Sequence, residues 1–253
     1  MRILHLTDLH IGEEGEDTYG VDVRANFLDI LSKIPLMQPD LLVVTGDLCF
    51  RDGQENIYRW IKGQLETTGI PFRIISGNHD EPVAMAQAFG IGGQLKGNEL
   101  YFEEDWKGEK FLFLDTTYGF FSPPQREWVS ECLDSANGRL TVFMHHPPVP
   151  SGVPFMDLNY PFKDTDAFLD VFKSYKGQVN IFCGHYHVEK CIQINRLNVH
   201  ITPSCFFQMG QKKKEFEVDH YRIALRVIDL DSDMLSTTVR YFNGHRLHPS
   251  RPE

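Results

Sequence analysis

The sequence predicts a mixed α/β fold, and three features carry that reading. Short β-rich apolar runs alternate with segments whose apolar residues recur at helical spacing. Several of the runs are apolar on both faces, as expected of largely parallel strands covered by helices. No linker, repeat or low-complexity tract divides the 253 residues, so residues 1–253 are read as a single domain.

The strand-like runs are RILHLT (2–7), LLVVT (41–45), FRIIS (72–76), KFLFLDT (110–116), LTVFM (140–144) and VNIFC (179–183). Between them VRANFLDILSKI (23–34) and ENIYRWIKGQLE (55–66) place apolar residues on one helical face. SPPQREWVSECL (122–133) offers Ser122 as a cap and prolines in the first turn, and DTDAFLDVFKSY (164–175) adds another amphipathic helix. After residue 190 the pattern changes. NVHITPSCFF, YRIALRVIDLD and STTVRYF read as strands with no helix between them, predicting antiparallel strands that finish one or two sheets.

Composition narrows the classes of function. The apolar fraction of 42% and charged fraction of 24% are ordinary for a globular chain, and the formal net charge is -10. That charge argues against a binder of nucleic-acid polymers, whose phosphate contacts need a basic face. The five cysteines (Cys49, Cys132, Cys183, Cys191, Cys205) are odd in number, scattered and without a CxxC pair, so they read as small apolar residues in a reducing compartment. MRILHLTDLH enters a strand pattern directly, without the apolar stretch of a signal peptide, and no run is long enough to cross a bilayer. A cytoplasmic chain with no membrane partner is expected; a homodimer is compatible with the sequence.

Ligand-type residues cluster just past the strand ends. The first run leads into Asp8 and His10, the second into Asp47, and the third into Asn78, His79 and Asp80. The fifth leads into His145 and His146, the sixth into His185 and His187. In open α/β sheets ligands bind outside the carboxyl ends of the strands, so five separate segments deliver Asp, His and Asn to one edge. Each piece alone is weak, since DxH, GD and GN are ordinary turn sequences. HxH is more telling if the chain turns sharply, and Gly184 offers that freedom, as Gly46 and Gly77 do for their neighbours.

Carboxylate, imidazole and one amide oxygen form a mixed N/O set suited to Mn²⁺, Fe, Zn²⁺ or Co²⁺, not to a thiolate structural zinc site. Asp8, His10, Asp47, Asn78, both GHYH histidines and one of His145 and His146 total seven ligands. Seven crowd a single ion, whereas two ions sharing Asp47 would each have four protein ligands. Paired ions about 3.5–4 Å apart are a standard device for in-line attack at phosphorus.

The ordered set DLH, GD, GNHD, HH and GHYH resembles the calcineurin-like metallophosphoesterases over essentially the whole chain. That resemblance implies a four-layer αββα sandwich with two mixed β-sheets. The spacing, HHPPVP and the tail TPSCFFQ…YRIALRVIDLD most resemble the bacterial 3',5'-cyclic AMP phosphodiesterases of class III. It follows from the resemblance that Asp8, His10 and His187 hold a first metal, that Asp47 bridges, and that Asn78, His145 and His185 hold a second. His145 is thereby chosen over His146. His79 would face the phosphate or protonate the leaving alkoxide, Asp80 would orient His79, and a metal-bridging hydroxide would attack without a covalent enzyme intermediate. The favoured substrate is a small phosphodiester, 3',5'-cyclic AMP first, with 2',3'-cyclic nucleotides and glycerophosphodiesters as alternatives.

In the family the loops here spanning residues 149–162 and 202–208 border the substrate, making Tyr160, Phe206 and Phe207 candidates for stacking on a base. Packing beneath a loop is the competing reading of each. DTYGVDVR (17–24) departs from the cyclic-AMP branch and puts substrate identity in question. A non-catalytic scaffold of this fold would be expected to lose ligands, and here every position is filled. His5, inside an apolar strand, reads as a core histidine; His200, His220, His245 and His248 match no motif. EEGED (13–17) and KKK (212–214) read as solvated turns, the latter with a lesser role in attracting phosphate.

Overall fold

The computed structural model describes residues 1–247 apart from Asn137, so His248 lies outside the described residues. Two mixed sheets carry the fold. The first runs in spatial order Leu235–Phe242, Ile223–Leu230, Arg2–Leu6, Leu41–Thr45, Phe72–Ile75, with the last three parallel and the first two antiparallel additions. The second runs Lys190–Ile194, Leu197–Ile201, Val179–Cys183, Leu140–Phe143, Glu109–Phe113, Phe102–Trp106, parallel through its centre and antiparallel at both edges.

Helices α1 (Val23–Met37), α2 (Glu55–Thr67) and α3 (Pro82–Phe89) pack against one another beside the first sheet. Helices α4 (Pro123–Ser135) and α6 (Thr165–Phe172) pair beside the second, and the short α5 (Pro154–Asn159) lies between them in sequence. The Ser122 hydroxyl caps α4 by accepting from Gln125 N at 3.3 Å, as its sequence suggests. Buried apolar residues from Ile3 to Leu230 form one cluster. Between the sheets the His5 ring meets Phe143 and Phe182 edge-on at 5.6 and 6.2 Å. No helix among the described residues is long and apolar enough to cross a membrane.

Three differences from the sequence reading have physical causes. Phe102–Trp106 is an edge strand although FEEDW carries three acids; its partner is reached through Lys107 and Gly108, both at positive φ, the turn that suits strand twist. Leu197–Ile201 is not simply antiparallel: it inserts between Lys190–Ile194 and Val179–Cys183 and runs parallel to the latter. The strand also ends at Ile201, and Thr202–Phe207 is loop, within which Pro203 has no N–H to give a ladder.

Register brings the motifs together. Leu6 pairs with Val44, Thr45 with Ile75, and Phe143 with Phe182, so each ligand segment leaves its sheet at the same edge.

Candidate metal centre

The ligand loops are tightly wound. Asp8, His10, Asp47, His185 and His187 all adopt left-handed backbone, with φ between 46° and 66°. Such conformations are uncommon for residues other than glycine and persist where surroundings impose them. Here the imposing bonds are Asp8 N to Gly46 O (3.1 Å), His10 N to Asp47 O (2.9 Å) and His185 N to both Asp8 carboxylate oxygens (3.1 and 3.0 Å). The glycines act differently from expectation. Gly46 is at φ 83°, but Gly184 and Gly77 are needed for close approach: a Cβ on Gly184 would stand 2.5 Å from Asp8 Oδ2 and 2.7 Å from Thr7 Cβ. The ligands themselves make the sharp turns.

Three sets of side chains have ligand atoms within 4.8 Å of one another: Asp8, His10 and His187; His10, Asp47 and His79; Asp47, His145 and His185. His10 and His187 Nε2 are 3.1 Å apart, and His187 Nε2 is 3.4 Å from Asp8 Oδ1. His145 Nε2 is 3.3 Å from Asp47 Oδ1 and 3.2 Å from Asn78 Oδ1. Donor atoms bound to one ion at about 2.0–2.2 Å stand roughly 3.0–3.5 Å from their neighbours, so these separations fit cation coordination. Asp47 faces both sets, with Oδ2 3.6 Å from His10 Nε2 and Oδ1 toward His145. The two GHYH histidines separate, His187 to the Asp8 set and His185 to the His145 set.

Backbone carbonyls orient the rings. His145 Nδ1 bonds Thr45 O (2.7 Å), His187 Nδ1 bonds Phe207 O (3.0 Å) and His185 Nε2 bonds Tyr160 O (3.0 Å). A carbonyl only accepts, so each of those nitrogens carries hydrogen and the opposite nitrogen is the one left to bind a cation, which on His145 would take the place of a proton. His10 Nδ1 is buried without a hydrogen-bond partner among the described residues, so no carbonyl orients that ring. The electrostatics agree with a cation site. Burial drives His10 down to about 3. Burial also opposes charge on His145, yet the Asp47 carboxylate overcomes it and raises the ring to about 9. Without metal, that proton supplies the positive charge that the carboxylates attract.

His146 stays outside all three sets. Its Nδ1 meets Thr116 Oγ1 at 3.1 Å, and its ring lies 4.1 Å from that of His185. Asn78 is exposed at the rim, and His79 is half-buried, its Nδ1 donating to Arg51 O at 2.8 Å.

The expected pairing of Asp80 with His79 is corrected by the structure. The buried Asp80 carboxylate accepts from Gly77 N (2.9 Å), Leu48 N (3.2 Å), Cys49 N (3.3 Å) and the Tyr58 hydroxyl (3.2 Å). It ties the Asp47 loop to the Asn78 loop and leaves His79 to Arg51 O. Burial first, and then the nearby Asp47 charge, raises this carboxyl to about 6. Phe206 and Phe207 are buried, Phe206 against His10 at 5.0 Å, so packing is their observed role. Tyr160 is exposed. The anchoring carbonyls of Thr45, Arg51, Tyr160 and Phe207 had no side-chain signal; Tyr58 read only as a helix-face residue.

A two-sheet sandwich with such Asp, His and Asn clusters at its strand ends is the architecture of a metallophosphoesterase. Residues 1–189 match the calcineurin-like phosphoesterase family, and the chain belongs to it. That family membership implies divalent metal ions.

The chain is 30% identical over 243 residues to a Fibrobacter succinogenes protein named as a probable cyclic nucleotide phosphodiesterase, covering 96% of this chain and 94% of that one. It is 28% identical over 225 residues to the glycerophosphodiester phosphodiesterase GpdQ of Enterobacter lignolyticus (83% and 79% covered). It is 27% identical over 241 residues to the 3',5'-cyclic adenosine monophosphate phosphodiesterase CpdA of Pseudomonas aeruginosa (91% and 86%). Among solved structures, a dimetal phosphatase from Danio rerio shares the fold with a TM-score of 0.72 at 12% identity, covering 97% of this chain and 98% of that one.

Proposed function

We propose that the protein hydrolyses a small phosphodiester, 3',5'-cyclic AMP first, at a dinuclear centre. The observation that carries this reading is Asp47, whose two oxygens face two separate sets of ligands. Asp8, His10 and His187 would hold one ion and Asn78, His145 and His185 the other. Bound ions of the Mn²⁺ or Fe type, or Zn²⁺ or Co²⁺, would acidify a water and neutralise phosphate oxygens. The chain's own groups do the rest. Asp8 and Asp47 supply fixed negative charge, and the carbonyl-anchored rings keep their lone pairs inward without reorganisation.

His79 is the proton donor to the leaving alkoxide. Arg51 O fixes hydrogen on its Nδ1 in either charge state, so exchange with the substrate takes place at Nε2. Asp80 serves by holding the two loops in place and is not itself a proton carrier. A substrate other than polymeric nucleic acid accords with the acidic composition, and a cytoplasmic location with the scattered, unpaired cysteines.

The relative named GpdQ supports a second reading, in which a glycerophosphodiester is the substrate on the same centre; a 2',3'-cyclic nucleotide is the remaining alternative. A panel on Mn²⁺- or Fe-loaded protein separates these: 3',5'-cyclic AMP, 2',3'-cyclic AMP, glycerophosphocholine and aryl phosphate mono- and diesters. Metal-loaded protein that turned over none of them would refute the enzymatic reading, and a monoester preference would overturn the diester assignment. His79→Ala should lower kcat by roughly 10²–10⁴ with metal content unchanged. Loss of metal in that variant would make His79 a ligand, which its position within 4.8 Å of His10 and Asp47 also allows.

A further inference from the structure

A cleft of about 200 Å³ opens directly beside the second ligand set, sharing Asn78 and His185 with it. It is smaller than the ~300–1,000 Å³ that takes a whole drug-sized ligand. It therefore suits one portion of a substrate whose phosphate sits at the metals. Two phenol rings stand at it, Tyr118 at 60% and Tyr160 at 52% exposure, unusual for large apolar side chains.

The two walls are joined where Lys163 N donates to Gly119 O at 2.9 Å. The Lys163 ammonium has no carboxylate partner among the described residues. It lies 4.2 Å from the Phe120 ring centroid, bonds Tyr118 O at 3.4 Å and lines the cleft. Asn159 gives its amide nitrogen to Phe155 O at 2.7 Å, which fixes the amide orientation and leaves Oδ1 as a free acceptor. The cleft thus pairs one cationic donor with one neutral acceptor beside aromatic faces.

We infer that this cleft holds the purine of a nucleotide substrate, with Lys163 holding N7 of either purine and Asn159 selecting adenine over guanine. This rests on the cyclic-nucleotide reading above. Adenine's outer edge offers an acceptor at N7 and a donor at N6, complementary to Lys163 and Asn159. Guanine offers two acceptors there, N7 and O6, and would set O6 against Asn159 Oδ1. The faces of Tyr118 and Tyr160 supply stacking that any base accepts and Lys163 meets an acceptor that both purines carry, so these govern affinity, and Asn159 governs choice.

The test uses the Mn²⁺-loaded protein and compares kcat/KM for 3',5'-cyclic AMP, 3',5'-cyclic GMP and methyl p-nitrophenyl phosphate. Tyr118→Ala should raise KM for cyclic AMP roughly 5–100-fold while changing kcat little, as expected for loss of one base–aromatic stack. Asn159→Ser should narrow the cyclic AMP to cyclic GMP ratio by roughly tenfold, the scale of one base-edge contact, whereas Lys163→Gln should raise KM for both nucleotides and leave the ratio in place. If the wild type turns over cyclic nucleotides and Asn159→Ser leaves that ratio unmoved, the selection by Asn159 is wrong and the function stands. If the wild type cleaves only the simple diester, the cyclic-nucleotide reading falls, and this inference with it.

Discussion

Acidification should expose a cost carried by His5. Its ring is fully buried between the sheets, with Nε2 2.7 Å from Thr45 Oγ1 and Nδ1 2.8 Å from Thr202 Oγ1. Behind Thr202 stands the buried Arg226 guanidinium, whose Nε donates to the same hydroxyl at 2.9 Å. Burial first, then the Arg226 charge, pushes the imidazole from its ordinary 6.5 to about 3. The unfolded chain therefore takes up a proton at this residue below pH 6.5 that the folded chain refuses until about pH 3. Stability from this group is complete above its unfolded value and is lost as pH falls toward the folded one. Between pH 7 and about pH 4.5 the loss is about 2.5 kcal/mol, at about 1.4 kcal/mol per pH unit.

The assay is urea unfolding of chelator-treated protein across that range, wild type against His5→Gln. The variant starts less stable at pH 7, because Thr45 and Thr202 lose an ideal partner, but its curve should be flatter by about one bound proton. Parallel curves for the two proteins would refute the assignment and place the acid sensitivity in other buried histidines.

Further outcomes follow from the centre. His145→Ala should release about one metal equivalent while His146→Ala retains both, measured by elemental analysis; the reverse would exchange their roles. Gly184→Ala forces a methyl into Thr7 and Asp8, so it should lower stability by about 1–3 kcal/mol and weaken metal binding, read by melting with and without metal. Retention of wild-type metal affinity would show that the Asp8 and His185 loops can separate. Asp80→Ala strands the Gly77, Leu48 and Cys49 amides and the Tyr58 hydroxyl, which should cost about 3 kcal/mol or more. A variant with unchanged stability would mean that water replaces the carboxylate.

The ligand set was legible because it consists of charged and imidazole side chains placed after β-rich runs, and strand register then gathers them at one edge. The choice between His145 and His146 was not legible from alternation alone, which separates the two rings without saying which face holds the site. The hydrogen bonds of Asp80 are not legible in the sequence, because an acid beside a histidine in sequence suggests a pair in space. At residues 78–80 the chain turns, and the carboxylate points into the protein while the imidazole points out. The FEEDW edge strand escaped notice because its polar residues mask the alternation that a half-exposed strand shows only once its partner is known.

The anchoring of His79, His145, His185 and His187 by the carbonyls of Arg51, Thr45, Tyr160 and Phe207 has an evolutionary corollary. A carbonyl oxygen is present whatever side chain its residue bears. Positions 51 and 160, which are exposed, can therefore exchange side chains without losing the groups that aim the imidazoles. Residues facing the substrate are free to drift toward new esters while the reactive core beneath them stays constant. Saturation mutagenesis at Arg51 and Tyr160 should accordingly yield many variants with altered substrate preference and few that fail to load metal.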